Sequence, residues 1–215
     1  MHIDPSFQNA QWDGERMLFA DGDGQLFNRF TIALDVIGHE LTHGVTQYSA
    51  NLVYLNQSGA LNESMSDVFG IMIKQKVLNL TVNQSDWLIG VGLLAEGVQG
   101  TALRSMKDPG TAYKDPILGT DPQPADMAHY DNTIDDSGGV HINSGIPNRA
   151  FYLASTAIGG YTWEGAGPIW YRTLTDPRLR NDADFPTFAA LTIDNAGSQK
   201  QAVSDAWAEV GILSR

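Results

Sequence analysis

The sequence predicts an α+β fold that is mainly α-helical, with a short β-hairpin, one central helix and a carboxyl-terminal helical bundle. Three observations carry this. Strand-like patterning is confined to the stretch before Leu34. Apolar residues recur at spacings of three and four from Leu34 to Tyr48 and again from Ser58 to Lys76. After a Pro-, Asp- and Gly-rich stretch between Arg104 and Gly139, helical periodicity returns from Asn143 onward.

The chain has 215 residues, enough to bury a substantial core. With 25 acidic against 13 basic residues its formal charge is -12, so it offers no basic face to phosphates, and neither nucleic acid nor an anionic membrane is an expected partner. Cysteine is absent, which excludes disulfides and thiolate ligands and leaves imidazole and carboxylate for any transition metal. No apolar run is long enough to span a bilayer, and MHIDPSFQNAQW lacks the basic-then-apolar pattern of a secretory signal. If the protein is exported, the signal lies outside this chain.

Taken in order, Met17 to Phe27 reads as two short strands joined at Asp21-Gly22-Asp23-Gly24, where Asp and Gly tolerate positive φ. A calcium loop starting at Asp21 fails, because its sixth and twelfth positions are Leu26 and Ile32, where Gly and Glu are required. The next helix carries Leu34, Ile37, Leu41, Val45 and Tyr48 on one face, which predicts the packing face, with Thr31 as cap. His39 and His43 fall opposite, so this helix is expected to run between two packing layers. Ser58 to Lys76 forms the second helix, capped by Ser58, with Leu61, Met65, Phe69 and Met72 on one face. On another face Glu63 and Asp67 stand one turn apart, and their mutual repulsion calls for a cation nearby. The stretch from Arg104 to Gly139 reads as a long functional loop, followed by helices near 143–158, 165–175, 185–196 and 199–210.

The chemistry concentrates in His39-Glu40-Leu41-Thr42-His43. Two histidines four apart project from adjacent turns toward two corners of a zinc tetrahedron, and Glu40 points to the open side as a base for metal-bound water. A buried helix that merely carries two histidines is the bland alternative. A metzincin continuation would need Gly and His at positions held by Thr46 and Ser49, so that class is excluded. Glu63 on the next helix completes a His₂Glu set with one open position, and Asp67 can accept the outer N–H of a bound imidazole.

GHELTHGVT followed by LVYLNQSGALNESMSD resembles the thermolysin-like zinc peptidases, and HINSGIPNRAFYLA with GGYTWEGAGPIWY is similar to their protealysin branch. The resemblance runs from Asn9 to the end. It implies one Zn²⁺ held by His39, His43 and Glu63, with Glu40 as general base. It implies that Asp67 orients His39 and Asn62 orients His43, and that Tyr54 and His141, the latter held by Asp136, stabilise the oxyanion. Asn9, Ala10 and Trp12 match an edge strand that binds substrate backbone, and Arg104 matches an arginine that grips a substrate carbonyl. Phe27, Phe30, Val36, Ile89, Leu93 and Leu103 match an apolar pocket for the residue after the cleaved bond, which implies cleavage before bulky hydrophobic residues of a peptide or protein. An extracellular setting is implied, with an intracellular one open, and an upstream propeptide is an expected partner.

Three departures qualify the match. Asp35 and Asp86 match two acids of the double calcium site of many relatives, but Lys74, Leu88 and Val91 stand where carboxylates are expected. The double calcium site is therefore expected to be absent, with Lys74 paired to Asp35 or Asp86. Gln11 replaces a usual Phe of the substrate strand. Residues 1–50 correspond to the end of an amino-terminal lobe plus the substrate strand, hairpin and central helix, and 51–215 to the helical domain with the third ligand. The chain is expected to be either a fragment of a longer precursor or a compact version. A zinc-containing binding module without turnover is the second reading, and a metal-free helical domain the third.

Overall fold

A computed structural model describes residues 7–213. Helices dominate and the strands are short, as the periodicity requires. Two antiparallel strands, β1 (Ala10–Trp12) and β2 (Met17–Phe19), pair in the register Ala10 to Phe19 and Trp12 to Met17. The hairpin thus lies one strand earlier than predicted. Its turn is built on Asp13-Gly14, with Asp13 Oδ1 accepting from the amides of Glu15 and Arg16 at 2.9 and 2.8 Å. At the expected turn, Asp23 Oδ1 instead accepts the amides of Gln25, Leu26 and Phe27, and Phe27 forms an isolated bridge with Leu94. Both Asp-Gly sites turn the chain, but only the first is flanked by strands that pair.

Helix α1 (Leu34–Gln47) follows a short 3-10 turn at Phe30–Ile32. Thr31 lies inside that turn and does not cap the helix, which starts after Ala33 without a side-chain cap. The predicted packing face of α1 is its outer face: Leu41 is 49% and Tyr48 77% exposed. Its buried side carries Gly38, His39, Glu40, Thr42 and Thr46. Helix α2 (Asn56–Leu78) lies against that side, and Ser58 donates to the carbonyls of Val53 and Leu55 rather than capping. The approach is close because both helices present glycine. A Cβ on Gly70 would lie 2.3 Å from the carbonyl oxygen of Asp35, and one on Gly38 would lie 3.0 Å from the Cα of Gly70. Among the described residues, α1 packs chiefly on α2, with β1 meeting it through Trp12 at Gly44 and Gln47, and its apolar stripe faces outward.

Strands β3 (Leu88–Ile89) and β4 (Arg104–Ser105) form a second antiparallel pair, and β5 (Lys114–Asp115) and β6 (Gly119–Thr120) a third. Of these, β4, β5 and β6 interrupt the long loop with short paired segments. Helix α3 (Asp136–Asn143), absent from the predicted elements, is entered through a left-handed run at Asp136, Ser137, Gly138 and Gly139. Helices α4 (Gly145–Ile158), α5 (Ala166–Leu174), α6 (Phe185–Asn195) and α7 (Lys200–Glu209) fall close to the predicted positions. Their centre is aromatic: Trp170 stacks on Trp207 with ring centroids 6.1 Å apart and meets Phe151 edge-on at 5.1 Å. One hydrophobic cluster runs from Ala10 through α2 to Val210, so the site rests on a continuous core. No helix among the described residues is long and apolar enough to cross a membrane.

Candidate metal centre

The antiparallel pair α1 and α2 brings His39, His43 and Glu63 together with one ligand atom from each within 4.8 Å of the others. The two Nε2 atoms are 3.1 Å apart, His39 Nε2 is 3.3 Å from Glu63 Oε2, and His43 Nε2 is 3.4 Å from Glu63 Oε1. A tetrahedral ion with ligands at about 2.05 Å needs ligand-to-ligand edges of about 3.3 Å. The two imidazoles and each one's nearer Glu63 oxygen are spaced near that edge; the two contacts use different Glu63 oxygens, and one ligand atom per residue lies within 4.8 Å of the others.

Tautomers support the same fit. His39 Nδ1 faces Asp67 Oδ1 at 2.8 Å, so it carries the proton and leaves its Nε2 lone pair for the centre. Asn62 donates from Nδ2 to the carbonyl of Leu52 at 3.2 Å, which turns its Oδ1 toward His43 Nδ1 at 2.9 Å. Two imidazole lone pairs and a buried carboxylate thus converge on one point. Such a group is repulsive until a proton or a metal ion sits in it. Burial alone would lower the His39 pKa, yet Glu63 and Asp67 overcome it and hold that imidazole up at about 10, so without a metal His39 is an imidazolium and an ion entering the site displaces its Nε2 proton. Burial likewise opposes the ionisation of Glu63, but His141, His39 and His43 hold its carboxyl well below the usual range.

Asp67 is saturated. Besides His39 it accepts from Arg104 Nη2 at 2.7 Å and Nε at 2.8 Å, and from Asn148 Nδ2 at 2.8 Å. Burial disfavours its charge, but Arg104 and His39 keep its pKa well below the ordinary carboxylate value. Asn148, wholly buried on α4, was not among the predicted site residues. Its partner lies 81 residues away in sequence, and no local pattern signals such a contact.

The open side of the centre faces a cleft of about 740 Å³. Glu40 is buried but opens on this cleft and accepts no hydrogen bond from another described residue; burial raises its pKa. The Tyr54 hydroxyl donates to Glu63 and lies 3.1 Å from His141 Nε2, while His141 Nδ1 is 2.7 Å from Asp136 Oδ1. Asn9, Ala10 and Trp12 line the same cleft. Arg104 reaches it too, with two of its nitrogens committed to Asp67. Phe30, Val36 and Leu103 form an apolar wall, and Phe27 joins Phe30 and Leu103 around an adjoining hollow of about 300 Å³. Ile89 and Leu93 are fully buried and line neither space.

Residues 50–212 match the family described as thermolysin metallopeptidase, alpha-helical domain, and residues 1–47 match thermolysin metallopeptidase, catalytic domain. The chain belongs to the thermolysin metallopeptidase family. Within it, the chain stands near the protealysin branch: the solved precursor of protealysin, a metalloproteinase from Serratia proteamaculans, is 59% identical with a TM-score of 0.95, over 96% of this chain and 66% of that one. An extracellular metalloprotease of Pectobacterium carotovorum is 57% identical over all of this chain and 63% of its own length. Protease PrtS of a Photorhabdus strain is 48% identical over 99% of this chain and 59% of its own. The chain thus spans about 60% of the length of these curated relatives.

Proposed function

We propose that this thermolysin family member is a zinc-dependent endopeptidase. The observation that carries the reading is the convergence of two imidazole lone pairs and the Glu63 carboxylate at tetrahedral spacing, with the remaining corner open to Glu40 and the cleft. His39, His43 and Glu63 would hold the ion. When bound, zinc supplies Lewis acidity toward the scissile carbonyl and acidifies water.

The chain's own residues do the rest. Glu40, with a raised pKa and no competing hydrogen-bond partner among the described residues, takes the proton from the attacking water and delivers it to the leaving amine. Tyr54 and His141 donate toward the carbonyl oxygen as it turns negative, Tyr54 first releasing Glu63, and Asp136 holds the His141 ring. The substrate backbone adds to the free edge of β1. Asn9 accepts from Ala20 and Asp13 donates to Arg16, so by strand alternation the peptide groups of Ala10 and Trp12 point away from β2 toward the cleft. The apolar wall of Phe30, Val36 and Leu103 takes the residue after the cleaved bond, which gives cleavage before bulky hydrophobic residues. Arg104 offers its remaining nitrogen to a substrate carbonyl.

Three further parts belong to this reading. Lys74 stands in for the double calcium site: its ammonium lies 3.0 Å from Asp86, 3.3 Å from Asp35 and 2.9 Å from the carbonyl of Leu88. Action outside the cell is supported by relatives named as extracellular metalloproteases, and a propeptide by the relative solved as a precursor. The test is hydrolysis of a blocked peptide with Leu after the target bond, with metal content measured on the same sample. Turnover that a chelator abolishes and zinc restores is the expected result. Stoichiometric zinc without turnover would favour a non-catalytic zinc module, and no metal uptake would overturn both.

A further inference from the structure

The cleft has two chemically different ends. Its axis follows α1, and Val36 and Gln47, both in its lining, are separated by about 16 Å at about 1.5 Å per residue. Around Val36 the wall is apolar. Beyond His43 it carries the amides Gln11, Gln47, Asn51 and Asn181 alongside Trp12, Leu52 and Val53. The titratable side chains of the cleft, His39, Glu40, His43, Tyr54, Arg104 and His141, gather around the metal centre, so the amide-rich end carries no charge.

These amides are not equally available. Gln47 accepts from the Trp12 indole at 2.7 Å and so fixes the floor, with the Trp12 ring 3.2 Å from where a Cβ on Gly44 would stand. The other three side chains make no hydrogen bond to another described residue, and all are exposed. Asn51 owes its place to the backbone: it sits at φ 50°, a left-handed conformation three residues past the cap of α1 at Tyr48, with its amide bonded to the carbonyl of Thr46 at 2.7 Å. Glycine or asparagine suits that position, and only asparagine brings a side chain that can pair. Asn181 is held across from it, its carbonyl accepting from Val53 at 2.8 Å. Each amide presents both a donor and an acceptor, which matches another amide and wastes its capacity on an aliphatic group.

We propose that Gln11, Asn51 and Asn181 form a polar selectivity site for the segment before the cleaved bond, favouring an uncharged hydrogen-bonding side chain, Gln or Asn above all. From His43 to Gln47 the cleft runs about 6 Å, which an extended peptide covers in about two residues, so the second and third residues before the bond lie there. This rests on the peptidase reading, which puts the residue after the bond against the apolar wall. Loss of one neutral hydrogen bond corresponds to roughly 2- to 10-fold in affinity.

The experiment uses the zinc-loaded chain and quenched peptides that share Leu after the target bond and carry Gln, Leu, Glu or Lys two residues before it. The expected kcat/KM is about 5-fold higher for Gln than for Leu, with Glu and Lys no better than Leu. In Asn51→Gly, which keeps the backbone, and in Asn181→Leu, the Gln-to-Leu ratio falls toward one. Equal or reversed use of Gln and Leu by the unaltered chain overturns the proposal while leaving the peptidase reading intact. If no peptide is cleaved, the peptidase reading fails. The same peptides titrated calorimetrically then decide the selectivity site: tighter binding of Gln than of Leu upholds it, and equal binding overturns it.

Discussion

Two charged centres are built on the same helix pair about two turns apart, and they solve opposite problems. At the first, His39, His43 and Glu63 converge on a common point where, without a metal, the only positive charge is a displaceable proton on His39. At the second, Asp35 and Asp86 face each other across Lys74, whose ammonium donates to both Asp86 oxygens at 3.0 and 3.1 Å and lies 3.3 Å from Asp35. Burial pushes the Asp35 pKa up, with Lys74 working against it. One centre is complete as folded. The other, in our reading, is complete only with zinc. The difference teaches that buried carboxylates alone do not mark a metal site: what matters is whether the protein already provides the positive charge.

The largest effect should come from the group that turns the open centre into a catalyst. Glu40→Gln should lower kcat about 1000-fold while zinc still binds stoichiometrically, as kinetics and metal content on one sample would reveal. Next, Lys74→Met should remove the internal cation and leave Asp35 buried and unpaired, at a cost of about 3 kcal/mol in denaturant unfolding. Lys74→Glu should go further and make the melting temperature rise with added calcium, converting the second centre into the first kind. Gly70→Ala strikes the helix crossing that both centres share. Its Cβ would lie 2.3 Å from the Asp35 carbonyl oxygen, so about 2 kcal/mol of overpacking is expected, read as a lower melting temperature. The smallest effect falls on Asn148→Leu, which removes one of the donors to Asp67. Zinc affinity in a chelator competition should drop about 10-fold with the melting temperature of the metal-free protein nearly unchanged.

Much of the metal centre was legible because helical spacing fixes direction. His39 and His43 had to share a face, Glu63 and Asp67 had to share another, and their repulsion called for a cation. Asn148 was not legible, since its link to Asp67 is purely tertiary. The outer face of α1 differs from the expected one for a related reason: apolar periodicity identifies a stripe, not the side on which a neighbour packs. Here the neighbour approaches over Gly38, and the buried side is small and polar. The hairpin slipped because Asp13-Gly14 and Asp21-Gly22 carry the same turn signal, and only strand pairing chooses between them. Helix α3 was hidden by a Gly-Gly entry that reads as loop, although that entry delivers His141 to the cleft.

The contrast between the two centres can be tested in one crystal soaked with zinc and calcium. An anomalous-difference map should show a single zinc peak among His39 Nε2, His43 Nε2 and the Glu63 carboxylate, and no ion between Asp35 and Asp86. A calcium ion beside Lys74, or an empty His39, His43 and Glu63 site at saturating zinc, would contradict the account.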